Sequence, residues 1–239
     1  MEPKYISFIG RMGGKTKSAD LIISMFPKNY TTYVEPFLGS GIVFFRKPFV
    51  DKYEILNDLD DDIYKVFKLV QSKNINNIYH RNMTKDYFNK IKHSVNPLHI
   101  LERLKSSFFA RGTSFNPSQE GKINKTDFAY YHDRLQNAKL LNIDFEIVMN
   151  KYDSPTTFFF LDPPYESEKK KDYKDYVNPM DVYNAIKNIR GYFLLTYNDS
   201  PTIRQIFKNY YIKKHKVMYS QSQHISNRYK SELIITNYK

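Results

Sequence analysis

The chain has 239 residues, 41% apolar and 26% charged, with no cysteine and a formal net charge of +12 from 37 Lys and Arg against 25 Asp and Glu. Such a length allows one α/β domain with an insertion or two small domains, and the missing cysteine excludes disulfide scaffolds, thiolate nucleophiles and cysteine-based zinc sites. The positive balance points to a polyanionic partner, no apolar run approaches the ~20 residues of a membrane span, and the start MEPKYISFIGRMGGK lacks a signal-peptide pattern, so a cytosolic protein is expected.

In chain order, Gly13-Gly14 marks a loop, and the spacing of Leu21, Ile22 and Met25 predicts a short helix. In YTTYVEPFLGSGIVFF, Thr31 to Val34 reads as a strand ended by Glu35 and Pro36. Gly39 and Gly41 then make a tight turn, and Ile42 to Phe45 begin a helix. A glycine turn between a parallel strand and a helix lets the backbone approach a ligand closely, with helix N-terminal amides exposed to it. The next strand, Tyr53 to Leu56, runs into Asp58. That acid lies about 20 residues beyond Gly39, the separation at which a carboxylate after the second strand of a nucleotide-binding βαβ unit reaches ribose hydroxyls. Asp60, Asp61 and Asp62 read instead as an acidic helix start favoured by the macrodipole.

Residues 65–136 leave the strand-helix rhythm and are mostly helical in pattern, which reads as an inserted small domain. Its polar loop ARGTSFNPSQEGKINKTD carries Arg111, Lys122 and Lys125 around Phe115, a composition that suits nucleic-acid contact and a solvated surface alike. The sheet is expected to resume with KLLNIDFEIVM and TTFFFLD, followed by a helix over Met180 to Ile189, the strand GYFLLTYND and a helix opened by Pro201. YIKKHKVMYS and SELIITNYK close the chain as an antiparallel hairpin at the sheet edge, with His224, Asn227, Arg228 and Lys230 in its loop.

The stretch FFFLDPPYES carries the most chemistry. Phe158 to Leu161 form an unbroken apolar run, the mark of a strand buried on both faces of a parallel sheet. Pro163 and Pro164 stop it, because neither can donate to a ladder and both fix φ. Asp162 is held extended by the proline after it. In open α/β sheets ligands bind outside the carboxyl ends of the strands, where the Asp162 carboxylate and the Tyr165 ring would project. Twenty-one Tyr and 18 Phe without any Trp leave Tyr, Phe, His and Arg for base stacking.

Taken together and in order, GGK, EPFLGSG, NDLD, TSFN, DPPY and YNDSPTIRQIF resemble the Dam-type, D12 class of adenine-specific DNA methyltransferases, especially its short phage-like members, over nearly the whole chain. The resemblance implies a class I, Rossmann-like α/β methyltransferase sheet with an antiparallel last strand. It implies a catalytic domain of residues 1–64 and 137–239 and a mostly helical target-recognition insertion of residues 65–136. The implied cofactor is S-adenosylmethionine, on motifs that contain Arg11, Gly13, Lys15, Glu35, Phe37, Gly39, Gly41, Asp58 and Asp162. At Arg11 the family often carries an aromatic residue instead. The implied partner is duplex DNA, contacted by Arg111, Ser114, Asn116, Lys122, Lys125, Asn227, Arg228 and Lys230, without membrane or metal, in a bacterial or virus-infected cytoplasm.

Asp162, Pro163, Pro164 and Tyr165 would carry the catalysis. An exocyclic amino group is a poor nucleophile because its lone pair is delocalised into the ring. Hydrogen bonds to the Asp162 carboxylate and the Pro163 carbonyl would localise that pair and aim it. Methylation of a pyrimidine ring carbon needs a covalent nucleophile, normally a thiolate, and is closed to a chain without cysteine. The same geometry would serve the cytosine amino group or an RNA adenine, and a binding protein of the same fold without activity is the remaining alternative.

Overall fold

The computed structural model describes residues 6–11, 13–49, 52–73, 75–76, 82–122, 126–165, 176–218 and 229–239. Its strands are β1 (Thr32–Glu35), β2 (Tyr53–Asn57), β3 (Ala138–Leu141), β4 (Thr157–Leu161), β5 (Tyr192–Asn198), β6 (Tyr211–Met218) and β7 (Tyr229–Thr236). The helices are α1 (Ala19–Ser24), α2 (Ile42–Arg46), α3 (Asp61–Ser72), α4 (Lys85–Ile91), α5 (Pro97–Ser106), α6 (Ala129–Leu135), α7 (Phe145–Tyr152), α8 (Pro179–Ile186) and α9 (Pro201–Ile206). The strands form one sheet in the order β3-β2-β1-β4-β5-β7-β6. β1 runs parallel to β2 and β4, and β4 parallel to β5, whereas β7 is antiparallel to both β5 and β6. This is the class I methyltransferase sheet: the strand order reverses between β1 and β4, and one antiparallel strand is inserted next to the edge.

The chain divides into two compact units, one of Met1–Thr16, Gly39–Lys47 and Asp60–Asn142, the other of Lys17–Leu38, Pro48–Leu59 and Ile143–Lys239. The first is organised by α3, whose buried Ile63, Val66, Phe67 and Val70 follow helical spacing along one face. That face packs on α5 and α6. Phe8 is enclosed by Phe45, Phe67, Phe128 and Tyr131 at ring-centroid separations of 4.9–5.9 Å. Lys105 of α5 donates from Nζ to the Phe8 carbonyl at 2.7 Å and to Thr126 Oγ1 at 2.9 Å. Burial pushes this ammonium down to about 8 from its ordinary 10.5.

In the second unit the core is the sheet itself. Phe158, Phe159, Phe160 and Leu161 are all buried, as are Phe193 to Leu195 of β5 and Leu233 to Ile235 of β7. At the amino-terminal ends of β4 and β5, Asp153 accepts from the backbone amides of Arg190 and Gly191 at 3.0–3.1 Å, and Gly191 returns its carbonyl to Asn237 Nδ2 at 2.8 Å. A Cβ on Gly191 would lie 2.4 Å from the Thr157 carbonyl oxygen and 2.7 Å from that of Ser154, both backbone atoms that cannot turn aside.

Two sequence readings need correction. KLLNIDFEIVM is half strand and half helix: β3 ends at Leu141, and Asp144 caps α7 by accepting from the Glu146 amide at 2.7 Å. Lys230 is not in the terminal loop but in β7, paired with Val217 of β6, because the ladder continues farther toward the hairpin tip than the polar local sequence suggests.

Two measurements follow from this packing. Gly191→Ala should destabilise by about 1–3 kcal/mol through overpacking, lowering Tm by roughly 2–12 °C at this chain size; a melting curve coincident with the parent would refute the crowding. For Lys105, the unfolded chain keeps the proton up to pH 10.5 whereas the folded chain releases it near 8. Stability contributed by this group should therefore rise with pH between those values, by up to about 1.4 kcal/mol per pH unit. Denaturant titrations of the parent and Lys105→Met at pH 7.5 and 10 should show the difference between them moving in the parent's favour at the higher pH.

Candidate active site

β4 delivers the central group. The run Phe158 to Leu161 continues in sheet conformation until Pro163 and Pro164 end it, so Asp162 stands one residue past the strand, half-buried, at its carboxyl end. Its Oδ1 accepts from Thr196 Oγ1 at 2.6 Å and from the Tyr165 hydroxyl at 3.1 Å. The Tyr165 ring is stacked on Tyr197, centroids 5.1 Å apart and planes 23° off parallel, and Tyr197 in turn meets Phe207 at 6.2 Å. Thr196 and Tyr197 are neighbours on β5. Sequence reasoning missed both, though Thr196 is the one aliphatic hydroxyl in the run FLLTY, a signal in itself, since a buried hydroxyl needs a partner.

The neighbouring strands bring further groups to the same rim, because parallel pairing places Glu35 beside Leu56 and Leu161 beside Leu195. Glu35 is the last residue of β1 rather than a stop after it. It is buried and accepts from the Tyr33 hydroxyl at 2.7 Å. Burial first and the Glu35 carboxylate second hold the Tyr33 phenol well above its usual range, and burial together with Glu54 pushes Tyr30 up to about 12. The Tyr33 phenol thus remains protonated and a donor to Glu35. Phe37 packs its ring on Phe145 at 5.1 Å. Asp58 stands half-buried one residue past β2.

Asn57 was not anticipated either, and it fixes the rim. It is buried, donates from Nδ2 to the carbonyls of Pro36 at 3.0 Å and Ile143 at 2.9 Å, and accepts the Ile143 amide at 3.0 Å; its own carbonyl accepts from Leu38. The segment after β1, the end of β2 and the entry to α7 are held by this one side chain. Glu35, Phe37, Asp58, Asp162 and Tyr165 are thereby gathered at the carboxyl ends of β1, β2 and β4, on both sides of the point where the strand order reverses.

The remaining motif residues belong to the other compact unit. Gly39 and Gly41 adopt φ of +52° and +67°, conformations that favour glycine. At Gly41 a Cβ would strike the Phe67 ring at 2.9 Å, whereas at Gly39 it would meet no atom within 4 Å. Between them, the Ser40 carbonyl accepts from the Ser7 hydroxyl, which also receives the Ile9 amide. Lys15 is buried and donates to the Gly13 carbonyl at 3.2 Å. Arg11 is ion-paired with Asp60, the residue that caps α3.

Of the DNA-contact candidates, Arg111, Ser114 and Lys122 are exposed, and Asn116 spends its side-chain oxygen on the Ser118 amide at 3.0 Å, capping the 3-10 turn Pro117–Gln119. Lys125, Asn227 and Arg228 lie outside the described residues, as does His224. Among the described residues there is no group of three or more His, Asp or Glu that could hold a metal ion, and no helix long and apolar enough to cross a membrane.

The chain is 22% identical to a Type II methyltransferase of Paramecium bursaria Chlorella virus NC1A, covering 95% of this chain and 97% of that one. It is 23% identical to a DNA adenine methylase of Haemophilus influenzae, covering 97% and 93%, and 26% identical to a Type II methyltransferase of Methanocaldococcus jannaschii, covering 68% and 70%. Among solved structures, a precorrin-6y C5,15-methyltransferase from Geobacter metallireducens matches at a TM-score of 0.39 and 11% identity, covering 94% and 88%. The family model of the D12 class N6 adenine-specific DNA methyltransferases matches residues 12–116 and 100–236. The chain therefore belongs to that family and is an enzyme that methylates adenine in DNA with S-adenosylmethionine.

Proposed function

We propose that the enzyme methylates adenine N6 at a specific site in duplex DNA, acting on a base turned out of the helix and held at the end of β4. The observation that carries this reading is the Asp162 carboxylate, locked by two hydroxyls and followed by two prolines at the point where the strand order reverses. In this position the Asp162 carboxylate and the Pro163 carbonyl accept the two amino hydrogens of the base. They localise the nitrogen lone pair and stabilise the positive charge that develops on it during attack. The Tyr165 ring, backed by Tyr197, stacks on the base and offsets part of the few kcal/mol that unstacking costs. As the N–C bond forms, the methyl–sulfur bond breaks and leaves a neutral thioether, and the cationic nitrogen then releases its surplus proton to solvent.

S-adenosylmethionine supplies, when bound, an electrophilic sulfonium methyl. The residues present fit it: Asp58 is a carboxylate suited to the ribose hydroxyls, and the open space over Gly39 leaves room that any side chain there would fill. Glu35, Phe37, Gly41, Lys15, Gly13 and Arg11 complete the cofactor motifs on this reading. Residues 1–64 and 137–239 form the catalytic domain, and residues 65–136 the target-recognition part. Arg111, Ser114, Asn116, Lys122 and Lys125, with Asn227, Arg228 and Lys230, contact DNA. The net charge of +12 supports phosphate contacts of this kind. A cytosolic location in a bacterial or virus-infected cell suits the substrate.

Asp162→Ala should lower single-turnover methyl transfer to unmethylated plasmid DNA by about 10²-fold or more, the scale of one preorganised electrostatic partner, with DNA binding at low salt retained. A folded variant that still methylates adenine at the parental rate would overturn the mechanism. Asp58→Ala should weaken S-adenosylmethionine binding by roughly 1.5–3 kcal/mol, the worth of hydrogen bonds to a charged acceptor; calorimetry showing unchanged affinity would remove Asp58 from the cofactor site.

A further inference from the structure

The carboxylate of an aspartate turns easily, since its last torsion joins a tetrahedral to a planar carbon and has a broad, two-fold profile. An acceptor that must meet one amino hydrogen in line cannot be left to turn. The geometry points to Thr196 as the positioning residue that stops it, an inference that rests on the role given above to Asp162.

Leu161 pairs with Leu195, so the next residues along the two strands, Asp162 and Thr196, stand side by side. Thr196 is 1% exposed, and its hydroxyl lies 2.6 Å from Asp162 Oδ1 but 3.4 Å from the Leu161 carbonyl. Its single proton therefore goes to the carboxylate, the stronger and nearer acceptor. The Tyr165 hydroxyl donates to the same oxygen from the far side of the two prolines. Two donors on Oδ1 fix the plane of the carboxylate, which fixes the direction of Oδ2 and of the lone pairs it presents to the base.

The strand itself does not ask for this hydroxyl. Thr196 stands between Leu195 and Tyr197 in the buried middle of β5, where valine has the same shape and a high strand propensity. A buried hydroxyl there is favourable only while its hydrogen bond is made. Thr196 also places Tyr197 next in the chain, so β5 holds the carboxylate with one residue and backs the Tyr165 ring with the next.

Thr196→Val, Thr196→Ser and Thr196→Ala are compared with the parent and with Asp162→Ala, using labelled S-adenosylmethionine and unmethylated plasmid DNA under single-turnover conditions. Thr196→Val should transfer methyl about 10–100-fold more slowly, on the scale known for partners that orient metal ligands. Its Kd for S-adenosylmethionine, its Kd for DNA and its Tm should stay near those of the parent. Thr196→Ser, which keeps the hydroxyl, should restore most of the rate. A parental rate in Thr196→Val alongside a disabled Asp162→Ala overturns the inference about Thr196 alone, whereas a parental rate in Asp162→Ala overturns the reading beneath it. Should the valine variant fail to fold, serine must still outpace alanine at that position, and equal rates for the two overturn the proposal.

Discussion

Everything at the candidate site depends on one abrupt change of backbone chemistry. Four residues buried on both faces of a sheet satisfy their amides by pairing with strands on either side, and two prolines then withdraw the donors that would let the ladder continue. The chain has to leave the sheet at Asp162, in an extended conformation set by the residue that follows. The Asp162 carboxylate is thus placed by constraints that lie on both sides of it and involve none of its own atoms. The hydroxyls of Thr196 and Tyr165 then have only the side-chain rotation left to fix.

The polar groups around this point are organised by the same logic. Glu35, Glu54 and Asn57 are buried in β1 and β2, where an unpaired polar atom would cost about as much as a lost hydrogen bond or more. Tyr33 answers Glu35, and burial keeps that phenol in its donating form. Asn57 answers the backbone on both sides of its strand end. These pairings keep the loops after β1 and β2 in one arrangement. A site that must hold two substrates in register benefits from loops that do not have to be ordered on binding.

The strands of this fold were legible because their signals are local. The run at Phe158 is continuous and ends in prolines, the glycines after β1 mark a turn, and α3 shows its apolar spacing over the whole element. Less legible were features whose cause lies elsewhere in the chain. Thr196 gains its meaning from a strand 34 residues earlier, and Asn57 from Ile143, 86 residues later. The strand that now contains Lys230 is polar over its first residues and is extended only because β6 offers it partners. The break between β3 and α7 was marked by Asp144, a capping residue, but the apolar residues on either side of it read as one run.

The parallel register described above also sets a ruler for the chemistry. Glu35 ends β1, and Asp58 and Asp162 stand one residue past its neighbours β2 and β4; adjacent strands lie about 4.8 Å apart. The span from the acid beyond β2 to the acid beyond β4 is therefore close to two such steps, about 10 Å, and no single substitution on these residues can stretch it. The segments between the strands can then vary while the spacing of these acids is inherited unchanged with the sheet.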